Sequence, residues 1–221
     1  MKRRESREHQ AARAARISLA LARLYPEARI SLNFSTPWQC LAATILSAQC
    51  TDERVNQVTP ALFAEFPDPR ATASARPARM HELIASTGFF RQKTASLLAA
   101  AQLIVERHRG QVPEAMEDLV ALRGVGRKTA NVIRGHVFGL PGFAVDTHVR
   151  RLTRRLGLTR NTDPVKIESD LTALVPEADW TGFSMRLILH GRRVCAARRP
   201  RCEDCALADE CPRIGIPPPR A

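Results

Sequence analysis

Four cysteines near the C-terminal end, Cys195, Cys202, Cys205 and Cys211, constrain this chain more than any other feature. They follow the pattern Cys-x6-Cys-x2-Cys-x5-Cys within seventeen residues. Thiolates so closely placed wrap a [4Fe–4S] cluster or a zinc ion. Two disulfides are the third option, and compartment argues against them. No apolar run is long enough to span a bilayer. The basic N-terminus carries only a short apolar stretch over residues 17–24, broken by Arg23 and lacking a small-residue cleavage site, so no secretory signal is expected. The expectation is a cytoplasmic protein, nucleoid-associated if bacterial, with reduced thiols and no membrane contact. Spacing alone does not separate iron–sulfur from zinc. Cys40 and Cys50 sit in an apolar segment and read as small buried residues.

The rest of the chain is poor in β-branched and aromatic runs and rich in Ala, Leu and Arg, which favours helix. No segment alternates with period two, so the chain reads as all-α. Helix breaks fall at Pro60, Pro67, Pro69, Pro77, Gly88, Gly110 and Pro113. Residues 1–16 read as a basic tail or a helix lying on a polyanion, residues 16–25 as helical, and Trp38 to Leu46 as a buried helix entered at Pro37. A formal net charge of +12 attracts polyanions, nucleic acid foremost. Only four of the 34 basic residues are lysines: Lys2, Lys93, Lys128 and Lys166. Arginine stays protonated, so any amine nucleophile is one of those four or the N-terminus.

Residues 113–139 carry the most chemistry. Pro113 suits a first helical turn, with Glu114, Glu117 and Asp118 near the positive helix end. Leu122-Arg123-Gly124-Val125-Gly126-Arg127-Lys128 follows: two glycines break one helix, and a second starts at once and runs to about Phe138. A turn of this kind exposes backbone N–H groups that hold a phosphate, and glycine lets a DNA backbone come close. As a lone Gly-x-Gly it is equally a plain structural turn. Lys128 lies in the first turn of the second helix. The helix dipole there, with Arg123 and Arg127, disfavours an ammonium, and a neutral amine is a nucleophile. Eighteen residues on, Asp146 precedes a helix, Thr147 to about Leu156, that Gly157 closes; it reads as an N-cap, a role compatible with a carboxylate that also points into a cleft. Between the first two cysteines, Arg198, Arg199 and Arg201 read as a phosphate-contacting finger.

The hairpin LRGVGRKTANV, the AVDTH segment and the cysteine pattern together resemble the endonuclease III family of helix-hairpin-helix DNA glycosylases. Residues 45–52 (ILSAQCTD) and 189–192 (LHGR) resemble it too. The order and spacing of these segments fit from about residue 16 to 212. The resemblance implies two helical domains with DNA lying across the groove between them. One is a continuous six-helix domain over 30–140. The other is a discontinuous [4Fe–4S] domain formed by 1–29 and 141–221, with the cluster on the four cysteines. It also implies a monomer acting on double-stranded DNA with damaged bases or abasic sites. Oxidised pyrimidines of the thymine-glycol type would be flipped out, expelled by Lys128 through a Schiff base, and the strand nicked by β-elimination. Asp146 would take the lysine proton or stabilise positive charge on the sugar. The cluster would be structural, with a redox role open.

By the same resemblance Gln49 fills the hole left in the duplex and Phe89 sits where the family places an apolar wedge. His148 lies beside the site. The chain departs from the family pattern at Arg123, commonly proline, and at Cys50, commonly alanine. An adenine mismatch glycosylase of the same superfamily is the near alternative, disfavoured by Lys128 and by the expectation of no further recognition domain after Cys211. A non-catalytic DNA-binding or redox-sensing cluster protein is the more distant one, and would need neither Lys128 nor Asp146.

Overall fold

The computed structural model describes residues 5–217. Lys2 and the rest of the basic tail ahead of Glu5 lie outside the described residues. Among those described there are eleven α-helices and no strand, so the chain is all-α. In chain order they are α1 (Arg7–Leu24), α2 (Pro37–Leu46), α3 (Asp52–Glu65), α4 (Pro69–Ala73), α5 (Pro77–Ile84) and α6 (Phe90–His108). After these come α7 (Met116–Ala121), α8 (Arg127–Val137), α9 (Thr147–Arg155), α10 (Pro164–Thr172) and α11 (Trp180–Arg193). No helix among the described residues is long and apolar enough to cross a membrane. The chain divides into a continuous unit, Ile30–Gly142, and a discontinuous one formed by the chain up to Arg29 and again from Phe143.

The continuous unit is built on α2. Thr36 caps it, its hydroxyl accepting from Gln39 N, and Pro37 supplies a first residue that needs no N–H partner. Seven of its ten residues are buried, the signature of a helix packed on nearly all sides. It lies against α3, α6 and α8, where Leu97, Ala100, Ala101 and Ile104 of α6 join one apolar core. Burial pushes the Cys40 thiol up to about 12, so it stays protonated and inert.

Two breaks expected from the sequence are placed differently. α3 runs through Pro60: buried Val58, Thr59 and Leu62 hold both sides of the proline to the core, which offsets the roughly 3 kcal/mol that an interior proline costs. Pro113 does not open the helix before the hairpin. α7 starts three residues later, after Ala115, because Val112 and Pro113 are themselves buried.

In the discontinuous unit, α11 packs on both α1 and α9. α1 begins at Arg7, with Ser6 accepting from His9 N, so residues 7–16 take the helical of the two readings and extend the helix expected over 16–25. Its buried stripe of Ala14, Ile17 and Leu21 explains the extension, and so does Arg13, which pairs with Glu5 at 2.7 Å and donates to the Leu156 and Glu210 carbonyls.

Gly142 ends the continuous unit against α8. A Cβ there would lie 2.3 Å from the Asn131 carbonyl oxygen, a backbone atom that cannot step aside. Gly142→Ala is therefore expected to lower stability by about 1–3 kcal/mol, the usual cost of overpacking, measured as a shifted urea midpoint at unchanged slope; a wild-type midpoint would show that α8 is free to move.

Candidate functional site

In the continuous unit the turn between α7 and α8 is closed by Val125 N donating to Leu122 O at 3.0 Å. Gly124 has φ +86°, and a Cβ on it would stand 2.9 Å from Ser96 Cβ, so both conformation and space demand glycine. Gly126 occupies the cap position of α8 without a capping side chain, and a Cβ there would meet nothing within 4 Å. The start of α8 therefore lacks a capping side chain and has open space beside its cap residue, an arrangement suited to an anion. Arg123, Gly124, Gly126, Arg127 and Lys128 are exposed. Leu122 and Val125 turn inward and are buried, which leaves them only backbone groups to offer a ligand. Lys128, the second residue of α8, has no hydrogen-bond or ion-pair partner among the described residues.

Two loops of the same unit carry Gln49 and Phe89. Both residues are exposed, and both have left-handed backbones, with φ of 51° and 47°. A bulky non-glycine residue in that region costs roughly 1–2 kcal/mol, and such strain persists only where the surroundings enforce it. Here Lys93 enforces it. It is buried, with Nζ donating to the Thr87 carbonyl at 2.7 Å and its backbone N–H to the Phe89 carbonyl at 3.0 Å. Burial draws its ammonium below the usual lysine range, and the nearby Cys50 opposes that shift. Lys93 is thus a strut under the Phe89 loop, unsuited to attack on an external ligand. Its role is not visible in the sequence, where it is one lysine of four.

In the discontinuous unit Asp146 caps α9. Its Oδ1 accepts from His148 N at 2.7 Å and Val149 N at 2.9 Å. Oδ2 accepts no hydrogen bond among the described residues, so one carboxylate both fixes the helix start and keeps an oxygen for chemistry. His148 sits in the same first turn, its Nδ1 3.1 Å from Arg151 Nη2. Gly191 makes room for it, since a Cβ there would come within 2.9 Å of the ring. Burial lowers the His148 pKa, so the ring is neutral at neutral pH.

The same helix holds the cysteine segment. Arg151 donates from Nε and Nη2 to the Cys195 carbonyl at 3.1 and 3.0 Å, and from Nη2 to the Gly191 carbonyl. Arg155 reaches the Ala196 and Ala197 carbonyls at 2.7 and 2.8 Å, and its Nη1 lies 3.2 Å from Cys195 Sγ. His190 is buried between Tyr25 Oη, 3.1 Å from Nδ1, and Cys205 Sγ, 3.3 Å from Nε2. All four cysteines are free thiols and line one small cavity of about 30 Å³. No three His, Cys, Asp or Glu side chains among the described residues converge on a single-ion site. Burial, reinforced by the neighbouring cysteines, pushes the Cys205 and Cys211 thiols up. Four thiolates here therefore call for a cationic partner, which is what an iron–sulfur cluster or metal ion provides. Of the three loop arginines, Arg198 and Arg199 are exposed without a partner among the described residues. Arg201 donates to the Arg193 carbonyl at 2.6 Å and braces the loop. The bracing roles of Arg151 and Arg155 are not readable from the sequence, where they fall within a basic helix face.

Against known proteins, a family profile described as HhH-GPD superfamily base excision DNA repair protein matches residues 42–177. Endonuclease III of Synechocystis sp. is 57% identical over 201 residues, covering 90% of this chain and 92% of that protein. A non-covalent endonuclease III–DNA complex superposes with TM-score 0.86 at 34% identity, over 92% of this chain and 95% of that one. A trapped endonuclease III–DNA covalent intermediate gives TM-score 0.86 at 34% identity, over 92% and 96%.

The strain at Phe89 and its strut make opposite predictions. Phe89→Gly is expected to melt at or above the parent temperature, because a 61% exposed side chain loses little contact while the left-handed backbone is relieved. Lys93→Met should cost about 1–3 kcal/mol by orphaning the buried Thr87 carbonyl. Scanning calorimetry on both checks this; a lower melting temperature for Phe89→Gly would refute the strain.

Proposed function

Because the chain belongs to the endonuclease III family of the HhH-GPD base excision repair superfamily, we propose that it removes oxidised pyrimidines of the thymine-glycol type with Lys128 as nucleophile. It is a DNA glycosylase and abasic-site lyase of base excision repair. The observation that carries the finer reading is the placement of Lys128: an exposed, unpartnered amine one residue into α8, directly after an uncapped glycine turn suited to phosphate. The covalent endonuclease III–DNA intermediate among its structural neighbours supports the same chemistry.

In this reading the backbone of residues 122–127 holds a phosphate of double-stranded DNA, with Arg123 and Arg127 adding charge. Gln49 and Phe89, pre-set in left-handed loops, enter the duplex where the damaged nucleotide leaves it. The Lys128 amine attacks C1′ of the sugar, and the C1′–N bond breaks with the electron pair leaving on the base. Asp146 takes the lysine proton or stabilises the cationic sugar through the oxygen not used in capping. Opening of the sugar gives the imine, which acidifies C2′; loss of that proton expels the 3′ phosphate and nicks the strand. His148 lies two residues on from Asp146, in the first turn of α9, and contacts DNA. Arg198 and Arg199 contact phosphate, and Arg201 contributes through its charge while bracing the loop. The protein works as a monomer in the cytoplasm.

Cys195, Cys202, Cys205 and Cys211 fit a [4Fe–4S] cluster, since the four free thiols border one common cavity and four thiolates are the ligand set such a cluster takes. When bound, the cluster supplies a rigid crosslink among four points of the segment. No step of the reaction above passes through it.

Borohydride trapping on abasic and thymine-glycol duplexes tests the nucleophile. The wild type is expected to form a covalent adduct. Lys128→Ala should form none and lose base release by at least ~10³-fold while still binding DNA; an adduct in that variant would move the nucleophile elsewhere. Purified protein should be brown and contain iron and inorganic sulfide in near-equal amounts, and stoichiometric zinc would reject the cluster.

A further inference from the structure

The outward side of α9 borders an open cleft of about 600 Å³ lined by Thr147, four arginines of the helix, Asn161 and Thr162, with Ile214 and Gly215 at its edge. No acidic side chain lines it. Arg151 and Arg155 are committed to the cysteine segment. Arg150 and Arg154 are not: both are exposed and have no hydrogen-bond or ion-pair partner among the described residues. They stand four residues apart on one helix face, about 6 Å along the axis. Thr147 and Thr162 add exposed hydroxyls.

We propose that this cleft is a phosphate track, in which Arg150 and Arg154 hold successive phosphates of the DNA strand adjoining the damaged nucleotide. Its chemistry selects a phosphodiester backbone. Guanidinium groups offer paired donors to phosphate oxygens, hydroxyls suit the same acceptors, and no aromatic ring is present to stack on a base. Its position selects DNA over a free anion, because Thr147 at its edge directly follows, in the chain, the residue assigned to the damaged sugar, Asp146. In that last step the inference rests on the proposed reaction. The charge on this face is surplus to the fold: neither arginine braces anything, yet both remain in a solvent-facing row.

The test is the salt dependence of binding to a duplex containing a stable abasic-site analogue, read by fluorescence anisotropy. Each phosphate contact contributes about 0.9 to the slope of log K against log salt concentration. Arg150→Gln with Arg154→Gln is expected to lower that slope by about 2 units and to weaken binding at least tenfold at about 50 mM salt. Arg150→Lys with Arg154→Lys should retain the slope. Arg76→Gln with Arg107→Gln, an equal charge loss on exposed residues of the continuous unit, should leave it nearly unchanged. A slope that does not fall in the first pair, or falls equally in the control pair, overturns the inference. Failure of the proposed reaction is read separately: if the wild type forms no borohydride adduct but the slope still falls, the track stands and the lysine chemistry does not.

Discussion

The contact on which the discontinuous unit depends is that of two guanidinium groups on α9 with the carbonyls of residues 195–197. One helix thereby ties a capping carboxylate at its start to the cysteine segment alongside its later turns. Because Asp146 spends one oxygen on the backbone of α9, its position is only as rigid as the helix. The helix is held in turn by α11 and by the loop that its own arginines grip. Charge-assisted bonds to backbone carbonyls are stronger than neutral ones, and Arg155 adds a contact with Cys195 Sγ, where an anionic sulfur would strengthen it. The cysteine segment therefore stiffens the support of the Asp146 carboxylate without touching it.

The continuous unit applies the same principle by a different device. Gly124 allows close packing against Ser96 inside the hairpin, while Gly126 leaves the start of α8 open outside it. Gln49 and Phe89 store backbone strain in loops that the buried α2 and α6 fix at one end. Strain of this kind destabilises the protein and survives because the surrounding packing exceeds it. A residue that must enter a base stack benefits, since its direction is set before the ligand arrives and little ordering entropy remains to be lost on binding.

The legible parts of this molecule were those written in local signals. The all-helical class, the entry of α2 at Pro37, the start of α8 at Arg127 and the cap at Asp146 all follow from residue types within one or two turns. The misplaced boundaries had long-range causes. α3 passes through Pro60 because its flanks are buried, and Pro113 is itself buried ahead of the helix it was expected to open; of the two readings of residues 7–16, the helix is fixed by Arg13, which meets carbonyls more than a hundred residues away. The separation of bracing arginines from free ones was equally hidden. Nothing in a chain with 34 basic residues marks Arg151 and Arg201 as tied and Arg150 and Arg199 as unattached. Lys93 was hidden for the reason that makes it effective: a lysine reads as surface until its amine is found inside, on a carbonyl.

The scarcity of lysine acquires a chemical meaning beside the proposed reaction. An abasic sugar is an aldehyde in equilibrium, and any neutral amine near it competes to form an imine. Arginine binds phosphate at least as well and does not become a neutral nucleophile. The phosphate-facing positions argued above, at residues 123, 127, 150, 154, 198 and 199, are all arginine. Of the lysines in the described residues, Lys93 is buried on a carbonyl and Lys166 lies on α10, away from the hairpin in sequence and fold unit. Such an arrangement retains the electrostatic attraction for DNA while keeping amines off the phosphate-facing positions, so that the proposed reaction at Lys128 meets little competition from them.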